Sequence, residues 1–325
     1  LTSEISMDLA DMSIRIESEA SSSSTPVHIY RAVQDESELI MISGGELTLS
    51  GYITFDVASN ITMATNRSSE SFFSVSNDAN VTFGSGIVIQ NGATEMGGAI
   101  YVLGSTITFE GTIQNCSAEG GGAIYIHDGY VTLRGTIQNC SAIDGGAIHM
   151  SASSTSSILG TISNCHAGED SYGGGAIYAE NGSSVGLSGT ITGCSAGYYG
   201  GGVYLNNATL SLSGTISNCN GGELGGGAIY AEGANSKINL NNYATVTECS
   251  SGDCGTLIYL GGDTSWDCPI TTSGNVAYVE GDIYVASRDG TIMYMQEQSA
   301  LSQNLTFCVT ISNEDFIPIR FTICC

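Results

Sequence analysis

The chain has 325 residues, of which 44 are glycine and only 3 are proline, and 42% are hydrophobic. Disordered low-complexity chains are poor in apolar residues, so we expect the glycines at turns where the backbone takes positive φ. The 32 acidic residues outnumber 7 basic ones and give a net charge of −25. So few basic residues could not neutralise the phosphates of a nucleic acid or bind an anionic membrane surface. The composition therefore excludes both as binding partners.

No run of 18 apolar residues occurs, so we expect no transmembrane helix and no membrane insertion of this chain. The chain begins at Leu1 without a basic and then apolar leader. That start is typical of a mature product or a fragment.

One phrase, Gly-Gly-Ala-Ile-Tyr, recurs at intervals of 24 to 29 residues when it is aligned on its aromatic position. A second phrase, Thr-Ile-x-Asn-Cys, lies between the copies, and a short alternating segment precedes it. Each period therefore holds three strand-like pieces separated by glycine or polar turns. The aromatic positions are Tyr101, Tyr125, His149, Tyr178, Tyr204, Tyr230, Tyr259 and Tyr284.

This pattern predicts an all-β fold, a right-handed single-stranded parallel β-helix (a solenoid) with three strands per coil. About ten coils are expected over residues 39–290, stacked at about 4.8 Å. Residues 1–38 form an N-terminal strand-like segment and linker, and residues 291–325 a C-terminal strand-like segment. Each end is expected either to cap the stack or to join another subunit.

Alternation assigns the faces of the three strands, because neighbouring side chains of a strand point to opposite sides. We predict that the residue after each aromatic position points inward: Val102, Ile126, Met150, Ala179, Leu205, Ala231, Leu260 and Val285. The second strand contributes Ile107, Phe109, Val131, Leu133, Leu210 and Leu212, and the third contributes Ile113, Ile137, Ile162, Ile191 and Ile216.

The Gly-Gly-Ala-Ile phrases resemble the polymorphic outer membrane protein repeats of chlamydial type. They occupy residues 97–100, 121–124, 145–148, 174–177 and 226–229, and the resemblance covers roughly residues 81–260. It implies a right-handed β-helix that is displayed outside the cell and is often adhesive. The second phrase departs from the family pattern, since it reads Thr-Ile-x-Asn-Cys here.

The aromatic positions are the candidate binding residues. If they face outward, seven tyrosines and one histidine form a stripe that could stack on sugar rings or pack against another protein. The alternative is that the stacked rings only brace neighbouring coils.

Two further columns are expected at the corners of the coils. Cys116, Cys140, Cys165, Cys194, Cys219 and Cys249 are interpreted as small buried thiols. Disulfides between neighbours in this column would be strained, and the spacing does not match a zinc site. Five cysteines outside it are better disulfide candidates: Cys254, Cys268, Cys308, Cys324 and Cys325. Because eleven cysteines is an odd number, one is expected to be free or to bond another chain.

An asparagine column, Asn91, Asn115, Asn139, Asn164 and Asn218, is expected to form an internal amide ladder. The sequons at Asn115 and Asn139 would then be out of reach of glycosylation. The remaining sequons are the glycosylation candidates: Asn60, Asn66, Asn80, Asn181, Asn207 and Asn304.

Acidic residues in the turn before Gly-Gly are interpreted as a solvated rim rather than a Ca²⁺ site, which needs six to eight converging oxygens. No metal and no cofactor is predicted. These residues are Glu119, Asp144, Glu169, Asp170, Glu223 and Asp253.

We therefore expect a non-catalytic extracellular surface or structural protein, an adhesin-like β-helix that self-assembles head to tail through its terminal segments. Its partners would be further copies of itself, or host or matrix glycans and proteins. The alternative is a polysaccharide-active lyase or hydrolase. No catalytic residue is assigned, because Arg134 and Lys237 are the only basic residues between 68 and 287 and no positioned acid–base group is evident.

Overall fold

The computed structural model describes residues 5–20, 22–31, 40–57, 71–168, 173–223, 225–233, 235–240, 244–252 and 258–260, and seven short strands between 270 and 320. The described chain is a parallel β-solenoid of about eight turns, with three sheets of parallel strands and no helix among these residues. This confirms the predicted parallel β-helix with three strands per coil. The parallel winding ends at Ile283–Ala286, because the next strand, Ile292–Met295, pairs with it antiparallel.

The first sheet consists of the strands that carry the aromatic positions, each hydrogen-bonded in parallel register to the same strand of the next coil. Its strands are Phe73–Ser76, Ile100–Leu103, Ile124–His127, Ile148–Ser151, Ile177–Glu180, Val203–Asn206, Ile229–Glu232, Ile258–Leu260 and Ile283–Ala286.

The second sheet follows after a short turn. Its strands are Asn80–Phe83, Thr106–Phe109, Tyr130–Leu133, Thr155–Ile158, Ser184–Leu187, Thr209–Leu212, Lys237–Leu240 and Ile270–Thr272.

The third sheet closes each coil. Its parallel strands are Val27–Arg31, Ile53–Val57, Ile87–Gln90, Thr112–Gln114, Thr136–Gln138, Thr161–Ser163, Thr190–Thr192, Thr215–Ser217, Thr245–Thr247 and Ala277–Val279. A minor ladder follows the cysteine corner and joins Ser141–Ala142, His166–Ala167 and Ser195–Ala196.

The N-terminal segment belongs to the coil stack. Strand Ile5–Glu17 runs parallel to Ile40–Ser50, with register shifts at 8–13. Ile40–Ser50 is long enough to pair with the next coil in both the first and the second sheet, through Phe73–Ser76 and Asn80–Phe83.

The C-terminal strands change direction. Ser299–Leu301 and Thr306–Phe307 pair antiparallel with strands of the third and second sheets. Ile319–Arg320 pairs parallel with Ile292–Met295.

The interior of the coils is the continuous apolar core that alternation predicts, because one coil cannot bury its apolar face without neighbours. All predicted inward residues between 102 and 231 are buried, with at most 1% of their surface exposed. The side chains of Leu260 and Val285 lie outside the described part of the chain.

The asparagine column is not an internal ladder, so that prediction is wrong. Asn115 and Asn139 are exposed, and their φ angles are 55° and 54°. These residues make the single left-handed step that turns the chain from the third sheet to the cysteine corner. Asparagine is favoured there because it tolerates the left-handed region better than most residues. The sequons at Asn115 and Asn139 are therefore at the surface.

Candidate binding site along the aromatic column

The aromatic side chains form one continuous stack on the outer face of the first sheet. The parallel register places Tyr101, Tyr125 and His149 one above the other, and the stack continues through Tyr178 to Tyr259. From Tyr178 to Tyr259, towards the C-terminal or lower end of the stack, the neighbouring ring centroids are 4.9 to 5.1 Å apart with interplanar angles of 9° to 15°. This spacing is close to the coil repeat of about 4.8 Å, so the register itself brings the rings face to face.

The middle of the stack is closed to solvent. Tyr204 is 0% exposed and Tyr178 and Tyr230 are each 6% exposed. Tyr199, in the turn just before Gly200, lies against them, with ring centroids 4.3 Å from Tyr230 and 6.1 Å from Tyr204. Tyr204 therefore has no free ring face for a ligand.

Glycine allows the turn of an earlier coil to lie directly on the rings. A Cβ atom at Gly120 would come within 3.2 Å of the Tyr125 ring and 3.1 Å of His149 Nδ1. A larger residue at this position would push the turn away from the column.

Carboxylates line the same face. The Tyr204 hydroxyl donates a hydrogen bond to Glu232 Oε1, and the Tyr230 hydroxyl lies 3.5 Å from Glu232 Oε2. His149 Nε2 lies 3.5 Å from Glu180 Oε1. Glu180 and Glu232 each follow a tyrosine by two residues, so strand alternation places them beside the rings.

Burial raises the pKa of Tyr204 well above its usual value, and the neighbouring Glu232 raises it further. Burial raises the pKa of Tyr178 and Tyr230 as well, with nearby carboxylates adding to the effect. These phenols remain protonated at neutral pH, and the hydroxyls of Tyr204 and Tyr230 donate to Glu232.

The upper part of the stack is more open. Tyr101, Tyr125 and His149 are partly exposed, and the Tyr101 and Tyr125 rings are stacked 5.6 Å apart at 12°. Tyr259, at the lower end, is also partly exposed. The side chain of Tyr284 lies outside the described part of the chain.

The described sequons differ in accessibility. Asn80 and Asn181 are exposed. Asn207 is half-buried and its amide is engaged, since Nδ2 donates to Asn206 Oδ1 at 2.9 Å and Oδ1 accepts from the Asn235 backbone N–H at 3.3 Å. Asn60, Asn66 and Asn304 lie outside the described residues.

An amide ladder does exist, but on the third sheet. Gln138 Nε2 donates to Gln114 Oε1, and Gln114 Nε2 donates to Gln90 Oε1, both at 2.8 Å. Gln90 Nε2 in turn donates to Asp56 Oδ2 at 2.7 Å. The signal was the repeated phrase Thr-Ile-Gln, whose glutamine shares the outer face with its threonine.

The cysteine column is buried as predicted. The first five thiols, from Cys116 to Cys219, are 1% exposed, and Cys249 is partly buried. All six are free thiols. The five cysteines outside the column lie outside the described residues.

The acidic rim shows no convergence on a metal. Within the described ranges, no group of three or more His, Cys, Asp or Glu side chains could hold a metal ion. Glu169, Asp170 and Asp253 lie outside these ranges. In the same part of the chain, no helix is long and apolar enough to cross a membrane.

No protein-family model, curated protein or solved structure matches this chain. The likeness to the polymorphic outer membrane protein repeats therefore depends on the Gly-Gly-Ala-Ile phrases, and the parallel β-solenoid is the part of that expectation that the structure shows.

Proposed function

We propose that this chain is a non-catalytic structural protein of the cell surface or extracellular space, a β-helical rod that associates with further copies through its first coil. The observation that carries the proposal is the edge of strand Ile5–Glu17. It pairs with Ile40–Ser50 on one side, and no described strand pairs with its other side. An open strand edge presents unpaired N–H and C=O groups to another chain.

Large apolar side chains are exposed on the same coil, and they support this edge as a surface that contacts another copy. Met12 is 53% exposed and Ile16 is 40% exposed. Val27 and Tyr30, on the third-sheet strand of the same coil, are each 44% exposed. Four large apolar side chains on a single terminal coil favour burial against a partner.

An edge variant tests the association. Met12→Lys with Ile16→Lys places charge on the first coil, as natural edge strands do to prevent pairing. The matched control is Leu103→Lys with Leu159→Lys, because these residues are 41% and 42% exposed on middle coils. Light scattering over a concentration series should show association of the unmodified chain and the control, with the edge variant monomeric. A strictly monomeric unmodified chain, or an edge variant that associates equally, contradicts the proposal.

Adhesion is the second candidate, supported by the partly exposed and parallel rings of Tyr101 and Tyr125. Such rings can stack on the apolar face of a sugar. Glycan-array binding that is lost in Tyr101→Ala and kept in Tyr30→Ala would support this site. The polysaccharide-active enzyme is a third proposal, for which turnover of acidic polysaccharides is the direct assay.

A further inference from the structure

The six thiols of the cysteine column are aligned by the backbone on both sides. Before the cysteine, Gln114 pairs with Gln138 in the third sheet. After it, Ser117 pairs with Ser141. The backbone N–H of Ser141 also donates to Cys116 O at 2.9 Å. Cysteines on successive coils are therefore in register, and their Cβ atoms point in the same direction.

The same alignment continues down the column. The backbone N–H groups of His166, Ser195 and Asn220 donate to the preceding cysteine carbonyls at 2.9 Å, and that of Ser250 does so at 2.8 Å. Each thiol donates to the backbone carbonyl two residues before it, at 3.3 to 3.6 Å, so all six side chains take the same orientation. The sulfurs thus form an unbroken line parallel to the solenoid axis.

This geometry is poor for disulfides. A disulfide needs Cβ atoms about 3.5–4.5 Å apart and an S–S bond of about 2.05 Å. In-register side chains that point the same way instead keep the coil spacing of about 4.8 Å.

The same spacing suits a cation held between two sulfurs. A thiolate–metal bond of about 2.3 Å, the length that zinc makes, gives about 4.6 Å between two sulfurs with the metal in line between them. Soft thiolate ligands select Cu(I) and zinc, and zinc takes four ligands, so a two-sulfur site favours Cu(I). Because no group of three or more ligands converges among the described residues, the column offers its sulfurs in pairs.

We propose that the cysteine column binds soft monovalent cations, Cu(I) or Ag(I), each held linearly between the thiolates of two adjacent coils. On binding, two S–H bonds break, two S–metal bonds form and two protons pass to solvent, with no change of oxidation state. The backbone N–H of Cys165, 3.4 Å from Cys194 Sγ, stabilises the negative charge that remains on the pair. Cys249, partly buried at the lower end of the column, is the entry point for the ion.

The test uses silver(I) nitrate and the reduced 325-residue chain, in which the five cysteines outside the column are replaced by serine. Metal analysis after gel filtration should give about three silver ions per chain, one for each pair of the six thiols. Adding Cys140→Ser leaves the pairs Cys165–Cys194 and Cys219–Cys249 and should give about two ions. Adding Cys194→Ser as well leaves one pair and should give about one.

Circular dichroism checks that each serine variant keeps the fold. If a variant unfolds, X-ray absorption of the silver-loaded six-cysteine chain remains decisive, because the proposal requires two sulfur neighbours per silver. Silver content that is unchanged by the substitutions, or three or more sulfur neighbours, overturns the proposal. Disulfides between column cysteines in the chain as isolated, detected as missing thiols after denaturation without reductant, also overturn it.

Discussion

Aromatic rings stabilise the two ends of this solenoid in different ways. In the first coils, phenylalanines fill the interior: Phe55, Phe73 and Phe83 meet edge to face at 4.8 and 5.0 Å. From Tyr178 downward, tyrosines stack nearly parallel on the outside. The interior rings come from three different sheets and meet at an angle, whereas the outer rings come from one strand position and repeat with the coil. Parallel stacking is therefore found where tyrosine follows tyrosine in register, whereas the in-register pairs Phe83–Phe109, Tyr125–His149 and His149–Tyr178 are tilted by 40° to 51°.

The largest expected effect is in the interior. Phe73→Ala should lower the free energy of unfolding by about 3–5 kcal/mol, because a fully buried ring leaves a cavity among packed neighbours. Urea unfolding followed by circular dichroism measures it. Phe73→Leu is the conservative control and should lose much less. A loss under about 1 kcal/mol in Phe73→Ala would show that the interior collapses around the missing ring.

Loss of a ring from the outer tyrosine stack should lower the free energy of unfolding less than loss of an interior phenylalanine. Tyr204→Ala should cost about 2–3 kcal/mol, less than an interior ring because the covering turn can settle into the space. Tyr101→Ala is the matched control at the end of the stack. Its upper neighbour in register is Ser74, so it loses one ring contact worth about 0.5–1.5 kcal/mol. The same urea series measures both variants. Equal losses of unfolding free energy would contradict the expected difference between the buried middle of the stack and its partly exposed end.

The smallest expected effect on stability is the pH dependence that Tyr204 contributes in the alkaline range. The folded-state pKa of Tyr204 is raised above the unfolded value of about 10. Its contribution to stability is therefore fully present below pH about 10 and is lost as pH rises, because the unfolded chain releases the proton first. For each pH unit above 10, ionisation of this tyrosine in the unfolded chain should lower the free energy of unfolding by about 1.4 kcal/mol.

Tyr204→Phe tests this dependence. It should be less stable by about 1 kcal/mol at pH 7, through the lost hydrogen bond to Glu232. The difference from the unmodified chain should shrink, and then reverse, as the pH rises above 10. Parallel stability curves for the two proteins would show that the Tyr204 hydroxyl does not titrate with unfolding.

Much of the fold was predictable from the repeats. Inward residues such as Ile126 and Phe109 followed from strand alternation, and the buried cysteines followed from their fixed place after the third strand. Asn115 was misassigned because a residue in a left-handed turn repeats as regularly as a ladder residue. Its exposed side chain and its positive φ angle separate the two cases.

The period, the three strands per coil and the inward columns were all predictable from the repeats, since they depend on local alternation that a stack must repeat. How far the aromatic column is covered depends instead on contacts between coils. Tyr199 occupies, five residues before Tyr204, the position that glycine holds at Gly120 and Gly225 in other coils, and its ring lies against Tyr204 and Tyr230. It is brought there because the turn of one coil folds back on the outer face of the stack. The alignment of the six thiols was likewise decided by hydrogen bonds between coils on both sides of the corner, which no single repeat contains.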